Sequence, residues 1–132
     1  MAANPVWAST PRIGVGSVTV ANTGRDGTGT LVSILTGVAA GTRIDRLVVA
    51  ATADPADSTV TIFLYDGTTN WYFDEFDLGN PAAASTTLPP YRTEKAYSNL
   101  ILPTASWVLK AAVTVAPTAG AINVFAFGGD LT

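Results

Sequence analysis

Turn-forming residues divide this 132-residue chain into short segments of similar length. Glycine, proline, asparagine and aspartate recur about every eight to twelve residues, which is the spacing expected of short strands joined by turns. The segments between the turns are rich in Thr, Val and Ala and poor in the Glu, Lys, Gln and Leu that fill helices. This spacing predicts an all-β sandwich or barrel.

Eight segments are predicted to be strands: 13–21, 30–37, 43–51, 58–65, 70–77, 95–101, 106–115 and 121–127. Eight strands in one compact unit favour a jelly-roll-like β-sandwich, with two four-stranded sheets face to face, and an up-and-down barrel is the alternative. Residues 13–132 are predicted to form this domain. Residues 1–12, where Pro5 and Pro11 flank Trp7, are predicted to be an extended N-terminal arm.

Two of the predicted strands carry aromatic residues on the face that should meet water. Apolar side chains alternate along 58–65 and 121–127, but the opposite positions hold Phe63, Tyr65, Phe125 and Phe127. A sheet with one solvated face carries polar residues there. We therefore expect both faces of these strands to be covered, by a loop, a neighbouring subunit or a larger surface.

The composition points to assembly and away from several functions. The chain is 48% hydrophobic and 13% charged, against about 25% charged in ordinary domains, so we expect other subunits to cover much of its surface. The net charge of −3 and the scattered basic residues indicate no nucleic-acid partner. No apolar run reaches the ~18 residues of a membrane helix, and the N-terminus lacks the features of a secretory signal.

Two connections stand out. Asp66, Gly67, Thr68 and Thr69 predict a hairpin between strands 58–65 and 70–77, because Asp-Gly tolerates a positive φ and bonds its own turn. Residues 79–92 form a long loop of Pro, Ala, Ser and Thr, and loops beyond ~12 residues are usually functional or disordered.

The acidic cluster Asp74, Glu75 and Asp77 is the densest group of ionisable residues. Paired carboxylates could hydrolyse a glycoside, and Glu75 with Asp77 could bind calcium if loop carbonyls helped. Strand alternation places Asp74 on one face and the other two on the opposite face. The interpretation we favour is an edge strand whose charges prevent unwanted strand pairing.

No catalytic or metal-binding residue is assigned, and no cofactor is expected. The chain has no His and no Cys, which removes the usual bases, thiolates and disulfides. A nucleophilic serine would have only Lys95 and Lys110 as bases, and no Ser-x-x-Lys spacing occurs.

Aromatic residues are the best candidates for binding. Core packing is the default for any one of them, but Trp71, Tyr72 and Phe73 follow one another on a strand and cannot all face one core. Trp7 lies in the predicted arm. Aromatic side chains that reach the surface anchor protein interfaces or stack on sugars. The predicted interface residues are Trp7, Trp71, Tyr72 and Tyr91.

Four segments resemble small structural proteins of tailed bacteriophages: 41–47 (GTRIDRL), 63–70 (FLYDGTTN), LILP at 100–103 followed by WVLK at 107–110, and 126–131 (AFGGDL). Each motif alone is a common turn-and-strand pattern. The shared order and spacing of the motifs over about residues 14–131 carry the resemblance. It implies a non-enzymatic capsid decoration or cement protein with a jelly-roll-like sandwich, located on the outside of the virion after assembly in the host cytoplasm.

The partners implied by the resemblance are the major capsid protein and further copies of the chain, in a homotrimer or homodimer, with no membrane. The alternative is a carbohydrate- or receptor-binding sandwich on a phage fibre, spike or tail, with Trp71, Tyr72 or Tyr91 as the stacking ring. A hydrolase using the acidic cluster is the weakest hypothesis.

Overall fold

The computed structural model describes residues 8–131, which form eight strands and no helix. The strands are β1 (Ala8–Val18), β2 (Val32–Thr36), β3 (Thr42–Ala51), β4 (Ser58–Tyr65), β5 (Asn70–Gly79), β6 (Arg92–Leu102), β7 (Val108–Val113) and β8 (Ile122–Leu131). All eight predicted strands are therefore confirmed. None of the described residues forms a helix that could span a membrane.

The strands form two four-stranded antiparallel sheets. Sheet A has the order β1-β8-β3-β6, and sheet B has the order β2-β7-β4-β5. Each sheet alternates early and late strands of the chain, as the paired Greek keys of a jelly roll require. The jelly-roll prediction is confirmed, and the up-and-down barrel is wrong because consecutive strands mostly lie in different sheets.

The predicted start of the first strand is wrong. β1 begins at Ala8 and ends at Val18, whereas the prediction was 13–21. Pro11 pairs with Gly129 of β8, and a proline fits here because β1 is an edge strand with one side unpaired. Residues 8–12, assigned to the arm, therefore belong to the sandwich. Trp7 lies outside the described residues.

The core lies between the two sheets and follows the strand alternation. Val60 and Ile62 of β4 and Ile122 and Val124 of β8 are fully buried. They pack with apolar residues from the other six strands, including Val18 at the end of β1. At the side where β1 meets β2, the chain needs glycine, since a Cβ on Gly14 would overlap the carbonyl oxygen of Ile34.

The predicted β4–β5 hairpin is confirmed. Gly67 has a φ of 101°, in the left-handed region. Asp66 Oδ1 accepts hydrogen bonds from the backbone nitrogens of Thr68 and Thr69 at 2.8 and 2.7 Å. This turn lies at one end of the sandwich with the short connections 37–41 and 103–107. The longer connections 19–31, 52–57, 80–91 and 114–121 join strands at the other end.

Candidate interaction surfaces

The outer face of sheet B is covered by a loop of the same chain. The crossing loop, residues 21–29, starts at β7, where the Asn22 nitrogen donates to the Val113 carbonyl oxygen at 2.8 Å. It reaches β5, where Arg25 forms an ion pair with Glu75 at 2.8 Å and Gly27 accepts from Asn70. Because β4 lies between β7 and β5, the loop passes over the outer face of β4.

This cover explains a buried aromatic residue on an outward-facing position. Phe63 and Thr61 of β4 are both 0% exposed, although Val60 and Ile62, which alternate with them, fill the core. Phe63 also packs edge-on against Tyr72 of β5, with ring centroids 6.0 Å apart. The prediction that both faces of 58–65 are covered is confirmed, and the cover is a loop.

The outer face of sheet A carries an exposed apolar patch. The apolar patch consists of Ile13, Val15, Phe125 and Phe127, in which Ile13 pairs with Phe127 and Val15 with Phe125 across β1 and β8. The two phenylalanine rings stack at 6.2 Å. Ile13 and Val15 are 67% and 55% exposed, so no segment within residues 8–131 covers them. A cover from another molecule stays a prediction for this face.

Charged side chains border the apolar patch on the β3 and β6 side. The Arg46 guanidinium lies 5.0 Å from the centroid of the Phe127 ring, within cation–π distance. Glu94 pairs with both Arg46 at 3.5 Å and Arg92 at 3.4 Å. An apolar centre with a charged border is the usual composition of a protein interface.

A second feature, which we call the clasp, joins the edge strands of the two sheets. It consists of Phe73 and Asp74 of β5 with Lys95 and Tyr97 of β6. Asp74 accepts from the Tyr97 hydroxyl at 2.7 Å and from Lys95 Nζ at 3.0 Å, and the Phe73 and Tyr97 rings lie 5.7 Å apart. These contacts close the side of the sandwich opposite to Gly14.

The clasp changes the acidity of its members. Partial burial alone would raise the pKa of Asp74, but hydrogen bonds from Tyr97 and Lys95 outweigh it and leave this pKa lowered. Burial raises the pKa of Tyr97, and the negative charge of Asp74 raises it further. Both shifts favour an ionised Asp74 facing a neutral Tyr97, the pair that joins the two edge strands.

The structure separates the three carboxylates of the acidic cluster. Asp74 faces the opposite sheet, Glu75 pairs with Arg25, and Asp77 Oδ1 accepts from the Gly79 nitrogen at 2.9 Å. The predicted division of the faces is confirmed, as is the edge position of β5. Among residues 8–131, no three acidic side chains come close enough to hold a metal ion.

The two lysines considered as catalytic bases are engaged elsewhere. Lys95 bonds Asp74 and the Glu75 carbonyl oxygen, and Lys110 Nζ lies 4.0 Å from the Tyr65 ring centroid. No pocket is present in the described part of the chain.

The predicted interface residues lie in separate places. Trp71 pairs with Leu64 and Tyr72 with Phe63, so the two rings point to opposite faces of β5. They are 56% and 41% exposed. Tyr91 precedes β6 at the other end of the sandwich, and its half-buried ring packs against the core.

Sequence reasoning missed two features. A bulge leaves Phe73 unpaired between Asp74 and Tyr72, and nothing in the local sequence signals it. Ile13 and Val15 were predicted to lie in a strand but were not considered as binding residues. Their alternation with Gly14 and Gly16 was the available signal, because glycines on the inner face leave these branched side chains to point outward.

Comparison with known proteins supports the fold. No family model and no curated protein matches the chain. A chain of the acidic stable capsid structure of Helicobacter pylori bacteriophage KHP30 aligns with a TM-score of 0.53 and 15% identity, covering 93% of this chain and 89% of that chain. This likeness shows that the two chains share a fold.

A chain of the cyanophage Pam1 capsid asymmetric unit also aligns, over 98% of this chain and 93% of that chain, at 15% identity. Its TM-score is 0.44. The fold shared with the KHP30 capsid chain agrees with the jelly-roll-like sandwich expected from the sequence.

Proposed function

We propose that this chain is a non-enzymatic structural protein of a bacteriophage virion, and specifically a decoration or cement protein on the outside of the capsid. The observation that carries the proposal is the jelly-roll fold shared with a chain of the KHP30 capsid over nearly the full length of both chains. The protein acts as a homotrimer or homodimer that binds the major capsid protein and stabilises the shell.

The exposed apolar side chains support a role in binding proteins. Nine large apolar residues are exposed in the described chain, enough for more than one contact surface: Ile13, Val15, Val20, Trp71, Tyr72, Phe73, Leu88, Ile101 and Val115. A cement protein needs several such surfaces because it joins capsid subunits to each other and to itself. Symmetry then repeats each contact many times around the shell.

We assign the contact with the major capsid protein to the exposed edge of β5, where Trp71 and Tyr72 flank the strand on its two faces. Both rings are exposed on an edge strand, and tryptophan and tyrosine are the residues that most often dominate binding energy. The Trp71 Nε1 atom donates to Asp66 Oδ2 at 3.0 Å, so the ring is already held in place before a partner arrives. Such preorganisation lowers the entropic cost of binding.

The test is co-sedimentation of the protein with empty capsid shells of the phage that encodes it. Trp71→Ala should weaken binding by about 30-fold, the equivalent of about 2 kcal/mol for one interface hot spot. Leu88→Ala is the matched control, since Leu88 is also exposed but lies in the 80–91 loop. Negatively stained shells with and without the protein should differ in surface density. Failure of the wild-type protein to bind such shells would refute the proposal.

A carbohydrate-binding module is the second candidate, and the exposed ring of Trp71 favours it. In that case the wild-type protein binds a glycan array and loses binding on Trp71→Ala, while shell binding is absent. The two candidates are thus separated by the same variant in two assays.

A further inference from the structure

Half of the apolar patch lies on β1, the strand that residues 1–7 precede in the sequence. Ile13 and Val15 belong to β1, which begins at Ala8 on the open edge of sheet A. The seven preceding residues, Met-Ala-Ala-Asn-Pro-Val-Trp, contain no charged side chain and end in Val6 and Trp7. An apolar surface and an apolar segment therefore occur side by side in the chain.

We infer that the apolar patch of one copy binds residues 1–7 of a neighbouring copy, with Trp7 on the rings of Phe125 and Phe127. This inference rests on the proposed homo-oligomer and identifies the surface that forms it. The contact with the major capsid protein, through Trp71, is a separate surface.

Strand geometry makes a neighbouring copy the donor of Trp7. Val15 lies seven residues along β1 from Ala8, about 23 Å at 3.3 Å per residue. Trp7 precedes Ala8 of its own chain by one Cα–Cα step of about 3.8 Å. A side chain cannot span the remaining distance, so Trp7 cannot cover the Val15–Phe125 pair of its own chain.

The chemistry of the two surfaces matches. A segment without charged side chains can bind the apolar patch without burying a charged side chain, which would be costly. The exposed Ile13 and Val15 give it apolar area, and the stacked rings of Phe125 and Phe127 provide aromatic partners for an indole. Arg46, over the Phe127 ring, can cover the outer side of a bound Trp7.

Symmetry limits the assembly that results. Each copy offers one segment and one patch, so the contacts close either reciprocally in a dimer or head to tail in a ring such as a trimer. Both agree with the proposed homo-oligomer.

The absence of cysteine from the chain allows a direct test by disulfide trapping. Val6→Cys keeps Trp7, and Ser17→Cys borders the patch on the outer face of β1, where Ser17 pairs with Asn123. Ser33→Cys on the other sheet is the matched control, because Ser33 is also an exposed serine on an edge strand. The two single variants, one carrying a size tag, are mixed under mild oxidation and resolved on a non-reducing gel.

We expect the Val6→Cys and Ser17→Cys pair to cross-link at least tenfold faster than the Val6→Cys and Ser33→Cys pair. Adding Trp7→Ala to the Val6→Cys copy should remove that difference. Equal cross-linking of the two pairs would overturn the inference. So would a disulfide that forms only within one chain carrying both Val6→Cys and Ser17→Cys.

Sedimentation gives the second measurement. Deleting residues 1–7 should weaken self-association by at least tenfold and leave the unfolding midpoint unchanged at protein concentrations low enough for both forms to be dissociated; unchanged association would contradict the inference. The deletion stops at residue 7 because Ala8 onwards pairs with β8. If the cross-link fails while shells still bind the protein, this inference alone is wrong. If the cross-link forms but shells are not bound, the proposed capsid function alone is wrong.

Discussion

The outer faces of the two sheets begin from the same sequence pattern and end differently. In sheet B, Phe63 lies on an outward position and is fully buried under the crossing loop. In sheet A, Phe125 and Phe127 lie on outward positions beside Ile13 and Val15, which are more than half exposed. An aromatic residue on an outward position therefore indicates a face that is either covered by the same chain or available to another molecule. The path of a connecting loop decides which of the two applies.

The difference has a thermodynamic consequence. A cover supplied by the same chain is present at every protein concentration, because no translational freedom is lost when it forms. A cover supplied by another copy forms only as association proceeds, and it makes the apparent stability depend on concentration. We therefore expect the sheet B face to behave as core and the sheet A face to behave as a binding site.

Removing one ring from each face is the strongest test of the comparison. Phe63→Ala should lower the free energy of unfolding by about 3–5 kcal/mol, since it opens a cavity at a fully buried site. Phe125→Ala should cost about 1 kcal/mol, because the Phe125 ring is only half-buried. Urea unfolding at low protein concentration measures both. Equal losses would show that the two faces do not differ.

Disturbing the crossing loop should make the sheet B face resemble the sheet A face. Gly27 has a φ of 84°, and a Cβ there would lie 2.7 Å from the carbonyl oxygen of Asn70. Gly27→Ala should therefore cost about 1–3 kcal/mol through backbone strain and lost loop contact. Hydrogen exchange of β4 amides should accelerate while that of β8 does not. If β4 stays as protected as in the wild type, the loop is not its cover.

Weakening the clasp tests whether the two faces respond independently. Asp74→Asn removes the charged acceptor for Tyr97 and Lys95 and should cost about 1 kcal/mol at neutral pH, after allowance for solvent exposure. Exchange should increase in β5, which holds the end of the crossing loop, and stay unchanged in β1. An equal increase in β1 would show that the faces are coupled.

Acid should remove the stabilisation that the Asp74 carboxylate provides. The pKa of Asp74 is lowered in the folded protein, so its stabilisation is present above the ordinary aspartate pKa and is lost as the pH falls through the lower folded value. The stability difference between the wild type and Asp74→Asn should therefore disappear in strong acid. A difference that persists there would mean that the carboxylate charge is not its source.

The sequence predicted the fold better than the surfaces. Turn spacing and alternation located all eight strands and the Asp66–Thr69 hairpin, because these depend on local backbone preferences. The start of β1 was missed since Pro11 suggests a break, and only the edge position of the strand makes it acceptable. The crossing loop, the clasp and the Phe73 bulge depend on contacts between distant segments, which no local pattern specifies.

The smallest predicted effect is the one that separates a binding site from core. Val15→Thr keeps a β-branched residue of similar shape at a position 55% exposed, so unfolding free energy should change by no more than about 0.5 kcal/mol. The same change places a hydroxyl at the centre of the apolar patch. Self-association measured by sedimentation should then weaken although monomer stability does not. Thr61→Val is the opposite substitution on the covered face, where Thr61 is fully buried, and it should leave association unchanged. If Val15→Thr instead lowers stability and leaves association unchanged, Val15 belongs to the packed interior and the contrast between the two faces fails.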